Sequence, residues 1–163
     1  CIDPDTMYPP HYIDTHVRNL MKPGVACTFS LWSFIPDKRH SRLGLWLYEC
    51  LRDLHLSIQA IKRPELCVRG MTFGFNTELG RLFGFRTDIR RGEDGSLALA
   101  MKPYGRLIFI TSRKARALTS NSTIDADGSL ARSFGVRLLK ALKGATGLLY
   151  KKTTYKDKDS NLL

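Results

Sequence analysis

The sequence is short of acid. Asp and Glu number 15 against 26 Lys and Arg, giving a formal net charge of +11. An excess of this size describes partners rather than fold, and it points to nucleic acid, anionic lipid or an acidic protein surface. Cysteine is sparse too. Cys1, Cys27, Cys50 and Cys67 lie at spacings that match neither a zinc knuckle nor a redox pair. Cys27 and Cys50 fall inside apolar segments and read as small core residues, so a reducing, cytosolic setting is expected. No run approaches the ~20 apolar residues of a membrane span, and no signal peptide is visible. Membrane contact is therefore expected to be peripheral, unless an upstream segment carries an anchor. The chain starts at Cys1 rather than Met, so the expectation is either that upstream residues were removed or that they belong to a longer protein whose start is not in this sequence.

The local signatures of an active site are missing as well. Asp125-Ala126-Asp127-Gly128 looks like part of a calcium loop, but the twelfth position would be Phe134, which cannot chelate. Gly144-Ala145-Thr146-Gly147 lacks the Lys of a phosphate loop. His11, His16, His40 and His55 show no zinc spacing, and no nucleophile-and-base signature appears. Asn121-Ser122-Thr123 is a glycosylation sequon without meaning in the cytosol. The expectation is a protein that is not an enzyme, with no metal and no cofactor.

What is present suits one domain: 163 residues, 43% hydrophobic. Residues 1–23 are polar, proline-containing and without period, and are expected to form a flexible, extended arm. Residues 24–163 are expected to be globular. The run 25–35 (VACTFSLWSFI) reads as a buried strand closed by Pro36. Ser41 can cap a helix in which Leu43, Leu47, Cys50, Leu51, Leu54, Ile58 and Ile61 form one stripe facing the core. Arg42, Glu49, Arg52, Asp53 and Lys62 lie off it. Residues 67–75 read as a strand, and 76–92 fit neither period. Glu93-Asp94-Gly95-Ser96 signals a hairpin turn joining strands 86–89 and 97–101. Residues 106–111 read as a strand and 112–122 as a loop. A second amphipathic helix over about 129–143 puts Leu130, Phe134, Leu138, Ala141 and Leu142 on one face, with Gly144 at its end and a last strand at 148–155. The expected fold class is α+β: an antiparallel sheet packed with two main amphipathic helices behind an extended N-terminal arm.

The sharpest motif is Pro9-Pro10-His11-Tyr12, a PPxY peptide. Paired prolines hold the backbone near polyproline II, an aromatic WW groove takes the proline face, and the tyrosine ring fills a neighbouring pocket. The bland alternative is a proline turn leading into the domain. Basic clusters follow: Lys38, Arg39 and Arg42; Arg113, Lys114 and Arg116; Lys151 and Lys152 with Lys156 and Lys158. Each cation near an anionic bilayer contributes roughly 1 kcal/mol, although a single charge run is commonly only a solvated face. Phe83 and Phe85 are candidates for apolar contact with lipid or a neighbouring subunit. Most other aromatics read as core rather than base-stacking platforms.

The order of elements, together with the segment 129–144 (SLARSFGVRLLKALKG), Leu148-Leu-Tyr-Lys-Lys152 and the block 25–34 with its following helix, resembles the matrix proteins of rhabdoviruses. The resemblance covers most of the chain in pattern and little of it in identity. It implies a structural virion protein, also present in the host cytoplasm and peripheral at host membranes. Such a protein binds anionic lipid of the inner leaflet and the viral nucleocapsid, and self-associates into oligomers. Pro9, Pro10 and Tyr12 would recruit a host WW-domain ubiquitin ligase for budding. The lysine-rich tail that precedes the proline motif in that family is not in this sequence. The competing expectation is a basic nucleic-acid-binding viral accessory protein, which rests on the same charge.

Overall fold

The structure, a computed structural model, describes residues 1–38, 40–89 and 92–121 together with Arg132 and Gly135. The expected helix and strand beyond residue 122 lie outside the described residues, apart from those two positions.

The chain order is α1 (Tyr12–Leu20), β1 (Val25–Ser30), β2 (Trp32–Phe34), α2 (Arg42–Lys62), β3 (Phe73–Phe75), α3 (Thr77–Phe83), α4 (Glu93–Met101), β4 (Arg106–Ile110) and β5 (Ala117–Thr119), with short 3-10 turns between. This is mixed α/β structure consistent with an α+β class. The sheet is mixed rather than antiparallel. β1 is central, antiparallel to β3 and parallel to β4, while β2 pairs in parallel with β5. The parallel pairs arise because β4 and β5 return only after helical crossovers have turned the chain. The run 25–35 breaks at Leu31 into two strands that serve different sheets.

Residues 26–30 of β1 are all buried, so both faces of the strand are covered. On one side Thr28 meets α1. The core around Phe29 includes Phe73, Leu97, Met101 and Phe109, with the Phe29 and Phe109 rings stacked 5.1 Å apart. Gly105 lets β4 start close to β1: an added Cβ would stand 2.8 Å from the Ala26 nitrogen.

Three expectations change. The hairpin at 86–101 is instead the helix α4. Gly92, at φ +93°, supplies the left-handed residue before it, and Glu93 and Asp94 suit the positive end of a helix dipole. Asp94 also accepts a hydrogen bond from the Gly70 amide at 2.8 Å, and Leu97, Ala98 and Met101 are fully buried. Turn-forming residues here are helix-starting residues. The strand expected at 67–75 shrinks to Phe73–Phe75, because Pro64 opens a 3-10 turn and Gly70 belongs to a second. Finally, α2 begins where expected, with Ser41 Oγ accepting from the Gly44 amide, but it is rotated half a turn. Leu45, Tyr48 and Leu56 are buried, whereas the expected core stripe lies on the opposite, outer side.

Candidate functional site

The motif-bearing arm is built into the fold. The Met7 amide and carbonyl pair with Leu118 at 2.8 Å each way, tethering the arm to the edge of β5. Pro9 is half-buried, and Pro10 and His11 are exposed. Tyr12 opens α1 and is only 4% exposed. Its hydroxyl donates to the Met71 carbonyl at 3.2 Å, and its ring lies 4.5 Å from Tyr8 and 4.6 Å from His16. Burial pushes the Tyr12 phenol well above its ordinary pKa. The expectation of a flexible arm over 1–23 is thus corrected at residues 12–20. Tyr12 and His16 sit one turn apart on an inward face, a helical period that the prolines hide from a reading of the arm as a whole.

His16 anchors α1. Its Nδ1 lies 2.8 Å from Thr28 Oγ1 on β1, and its Nε2 has no hydrogen-bond partner among the described residues. Burial lowers its pKa to about 4, so the ring is neutral at physiological pH. Gly74 of β3 makes room for it, since an added Cβ there would lie 3.2 Å from His16 Nδ1.

The second feature is an ion network beneath α2. Glu49 accepts from the Phe34 amide at 2.7 Å and from Ser33 Oγ at 2.9 Å, clamping β2 to the helix. Arg52 donates to the Trp32 carbonyl and to Asp53, and its guanidinium stacks 4.4 Å over the Trp32 ring. Arg116 donates to Ser33 Oγ at 3.0 Å, pairs with Asp53 and stands 3.7 Å from Glu49. Desolvation by burial pulls the Arg52 pKa down. These charges, together with Leu45, Tyr48 and Leu56 in the core, set the rotation of α2, because its inner face meets both the polar backbone edge of β2 and the Phe34 ring. From the sequence they look like the solvated side of an amphipathic helix. The spacing 49, 52, 53 marks a second, continuous face, and that is the signal by which they could have been found.

The basic residues are scattered rather than joined. Lys38 and Arg42 are exposed around the N-terminus of α2, and Arg39 lies outside the described residues, as do Lys151 and Lys152. Arg113 and Lys114 are exposed on the 3-10 turn before β5, and Lys114 faces a shallow cleft with His11, Asp14 and Arg18 of the α1 region. Arg116 is instead half-buried in the ion network. Phe83 is half-buried, with its ring 5.1 Å from Tyr104, and Phe85 is exposed with its edge toward Phe75.

Comparison with family models, curated proteins and solved structures found no match. Function must therefore be argued from these surfaces alone. Among the described residues, no three His, Cys, Asp or Glu side chains converge as metal ligands, and no helix is long and apolar enough to cross a membrane. What the surface offers is exposed cations around α1 and α2, and a proline motif whose tyrosine is held in the core.

Proposed function

We propose that this chain is a non-enzymatic viral assembly protein of the matrix type. In this reading it binds anionic membrane lipid and the nucleocapsid through its basic surface, self-associates, and recruits a WW-domain ubiquitin ligase through Pro9, Pro10 and Tyr12. The supporting observation is the placement of the motif: Pro10 and His11 are exposed at the head of α1, on a chain carrying a net charge of +11. Lys38, Arg42, Arg113 and Lys114 are the exposed described cations assigned to lipid or nucleocapsid. Arg116 is not assigned there, because its guanidinium is committed to Asp53 and Ser33.

The buried Tyr12 adds a condition. A WW groove needs the tyrosine ring, so the first turn of α1 must leave the body before binding. The apparent affinity then falls by the fraction of chains in which Tyr12 is undocked. Pull-down with a WW domain tests this. Pro10→Ala alters an exposed residue, so it abolishes capture with an unchanged circular dichroism spectrum, and a free peptide spanning residues 4–14 binds more tightly than the whole chain. Capture that survives Pro10→Ala removes the motif from the proposal. For the basic surface, co-sedimentation with phosphatidylserine vesicles at low salt is expected, weakened by the Lys38→Glu/Arg42→Glu pair. Indifference to vesicles combined with steeply salt-dependent RNA binding would favour a nucleic-acid-binding protein instead.

A further inference from the structure

The outer face of α2 is the least explained surface of the molecule. Between Arg42 and Lys62 every exposed residue of the helix is aliphatic, aromatic or a thiol. Leu43, Trp46, Leu47, Leu54, Ile58 and Ile61 are each at least half exposed, with Cys50 and Leu51 among them. Both carboxylates of the helix, Glu49 and Asp53, are turned the other way, toward β2 and Arg116. The stripe from Leu43 to Ile61 runs roughly 27 Å at 1.5 Å per residue, and a contiguous apolar patch of this kind marks a contact surface. The exposed charges at its ends are all positive. Lys38 and Arg42 stand at the start and Lys62 at the finish, while Lys102 and Arg106 line the cleft beside Ile61. The nearby acids are occupied: Asp37 is bonded to His40 and Asn121, and Glu65 is buried against Lys102.

We infer that this face of α2 lies flat in the headgroup and upper acyl region of an anionic lipid bilayer. The inference rests on the lipid-binding reading above and gives that reading its apolar surface. α2 is not apolar enough to cross a membrane, so its outer face would sit in the interface plane, roughly 5–10 Å deep. The Trp46 ring, apolar with one N–H donor, suits that depth. The charge pattern selects lipid over a second copy of the chain. An antiparallel pair of α2 helices would set Lys38 and Arg42 of one copy against Lys62 of the other, and a parallel pair would set each cation against itself. Like charges therefore meet in either arrangement, whereas an anionic leaflet neutralises both ends of the stripe. Each cation at such a surface strengthens binding about fivefold. Nucleic acid fits the cations but not the stripe, because leucine and isoleucine give bases no ring to stack on.

The two tryptophans report on this face separately, since Trp32 is buried in the core and Trp46 stands on α2. Subtracting the emission of Trp46→Phe from that of the full chain isolates Trp46. Without lipid, Trp46 should be open to acrylamide at every protein concentration. Vesicles of phosphatidylcholine and phosphatidylserine should shift it to the blue and protect it, and the same lipids brominated in their acyl chains should quench it while Trp32 stays unchanged. Vesicles of phosphatidylcholine alone should do neither at low salt. Leu47→Ser with Leu54→Ser, at exposed positions, should weaken vesicle binding by more than about tenfold, and Arg42→Gln or Lys62→Gln by about fivefold each. Vesicle binding that leaves Trp46 open overturns this assignment and keeps the lipid reading, because another surface then makes the contact. No vesicle binding at all overturns both. Protection of Trp46 without lipid also overturns the assignment: if it grows with concentration a second copy covers the face, and if it does not the chain covers its own face. Should the serine variants fail to fold, a nitrobenzoxadiazole probe on the exposed thiol of Cys50, with Cys1→Ser removing the other exposed thiol, still reads the native stripe. Its emission should rise several-fold on the anionic vesicles, and an unchanged emission from vesicle-bound protein refutes the assignment.

Discussion

Acidification should loosen α1 through His16. The ring is buried between α1 and the sheet, and the groups that touch it, Tyr12, Thr28 and the Gly74 backbone region, carry no charge. The charged side chains of α1 and of the turn packed against it, Asp14, Arg18, Arg113 and Lys114, are all exposed; the Cys1 ammonium, held on the Phe73 carbonyl at 2.7 Å, adds a smaller repulsion that lowers the His16 pKa in the same direction as burial. Burial holds the folded pKa at about 4, against an ordinary value of 6.5. The folded value is depressed, so the unfolded chain takes up the proton first. Stability is complete above about pH 6.5 and is lost as pH falls toward 4. Linkage gives a loss of about 2 kcal/mol by pH 5 and about 3 kcal/mol by pH 4. Urea denaturation followed by circular dichroism at several pH values measures this, and hydrogen exchange of residues 12–20 locates it. His16→Gln keeps a hydrogen-bonding partner for the Thr28 hydroxyl and cannot titrate. The difference between the two proteins cancels other groups, including Asp94, whose carboxyl is raised chiefly by burial. A variant whose stability falls as steeply as that of the original chain between pH 6.5 and 4 would refute the argument.

Other outcomes follow from the same geometry. Asp53→Ala leaves the Arg52 and Arg116 guanidiniums without their shared carboxylate, and should cost about 3 kcal/mol in chemical denaturation; a change below ~1 kcal/mol would mean that the network is solvated. Gly105→Ala drives a methyl against the Ala26 nitrogen and should destabilise by about 2 kcal/mol, read as a lowered Tm. In the native chain Cys1 and Cys50 should react rapidly with a thiol reagent, while Cys27 and Cys67, buried and with thiols pushed up to about 12, should react only on unfolding. Rapid reaction of all the thiols would mean that the core around β1 is open.

Local chemistry wrote much of this protein openly. Ser41 starts α2 and Pro64 bars it from continuing past Lys62; the β-branched and aromatic residues at 25–30 and 106–110 make strands; Gly105 and Gly92 stand where backbone crowding or a left-handed turn requires them. The net charge and the Pro-Pro-His-Tyr motif are likewise properties of the sequence alone. Tertiary structure decided the rest. The signal at 93–96 fits a hairpin turn and a helix start equally well, and only the burial of Leu97 and Met101 and the bond from Gly70 to Asp94 select the helix. The polar arm hides a two-residue inward face, and docking against Thr28 and Met71 turns Tyr12 from a free recognition ring into a core side chain. A helical stripe states which residues share a side, not which side faces in. On α2 that choice fell to Glu49, Arg52 and Asp53, whose ion pairs and backbone hydrogen bonds to β2 fix the helix rotation alongside buried Leu45, Tyr48 and Leu56, and Leu43, Leu47 and Leu54 were left outward.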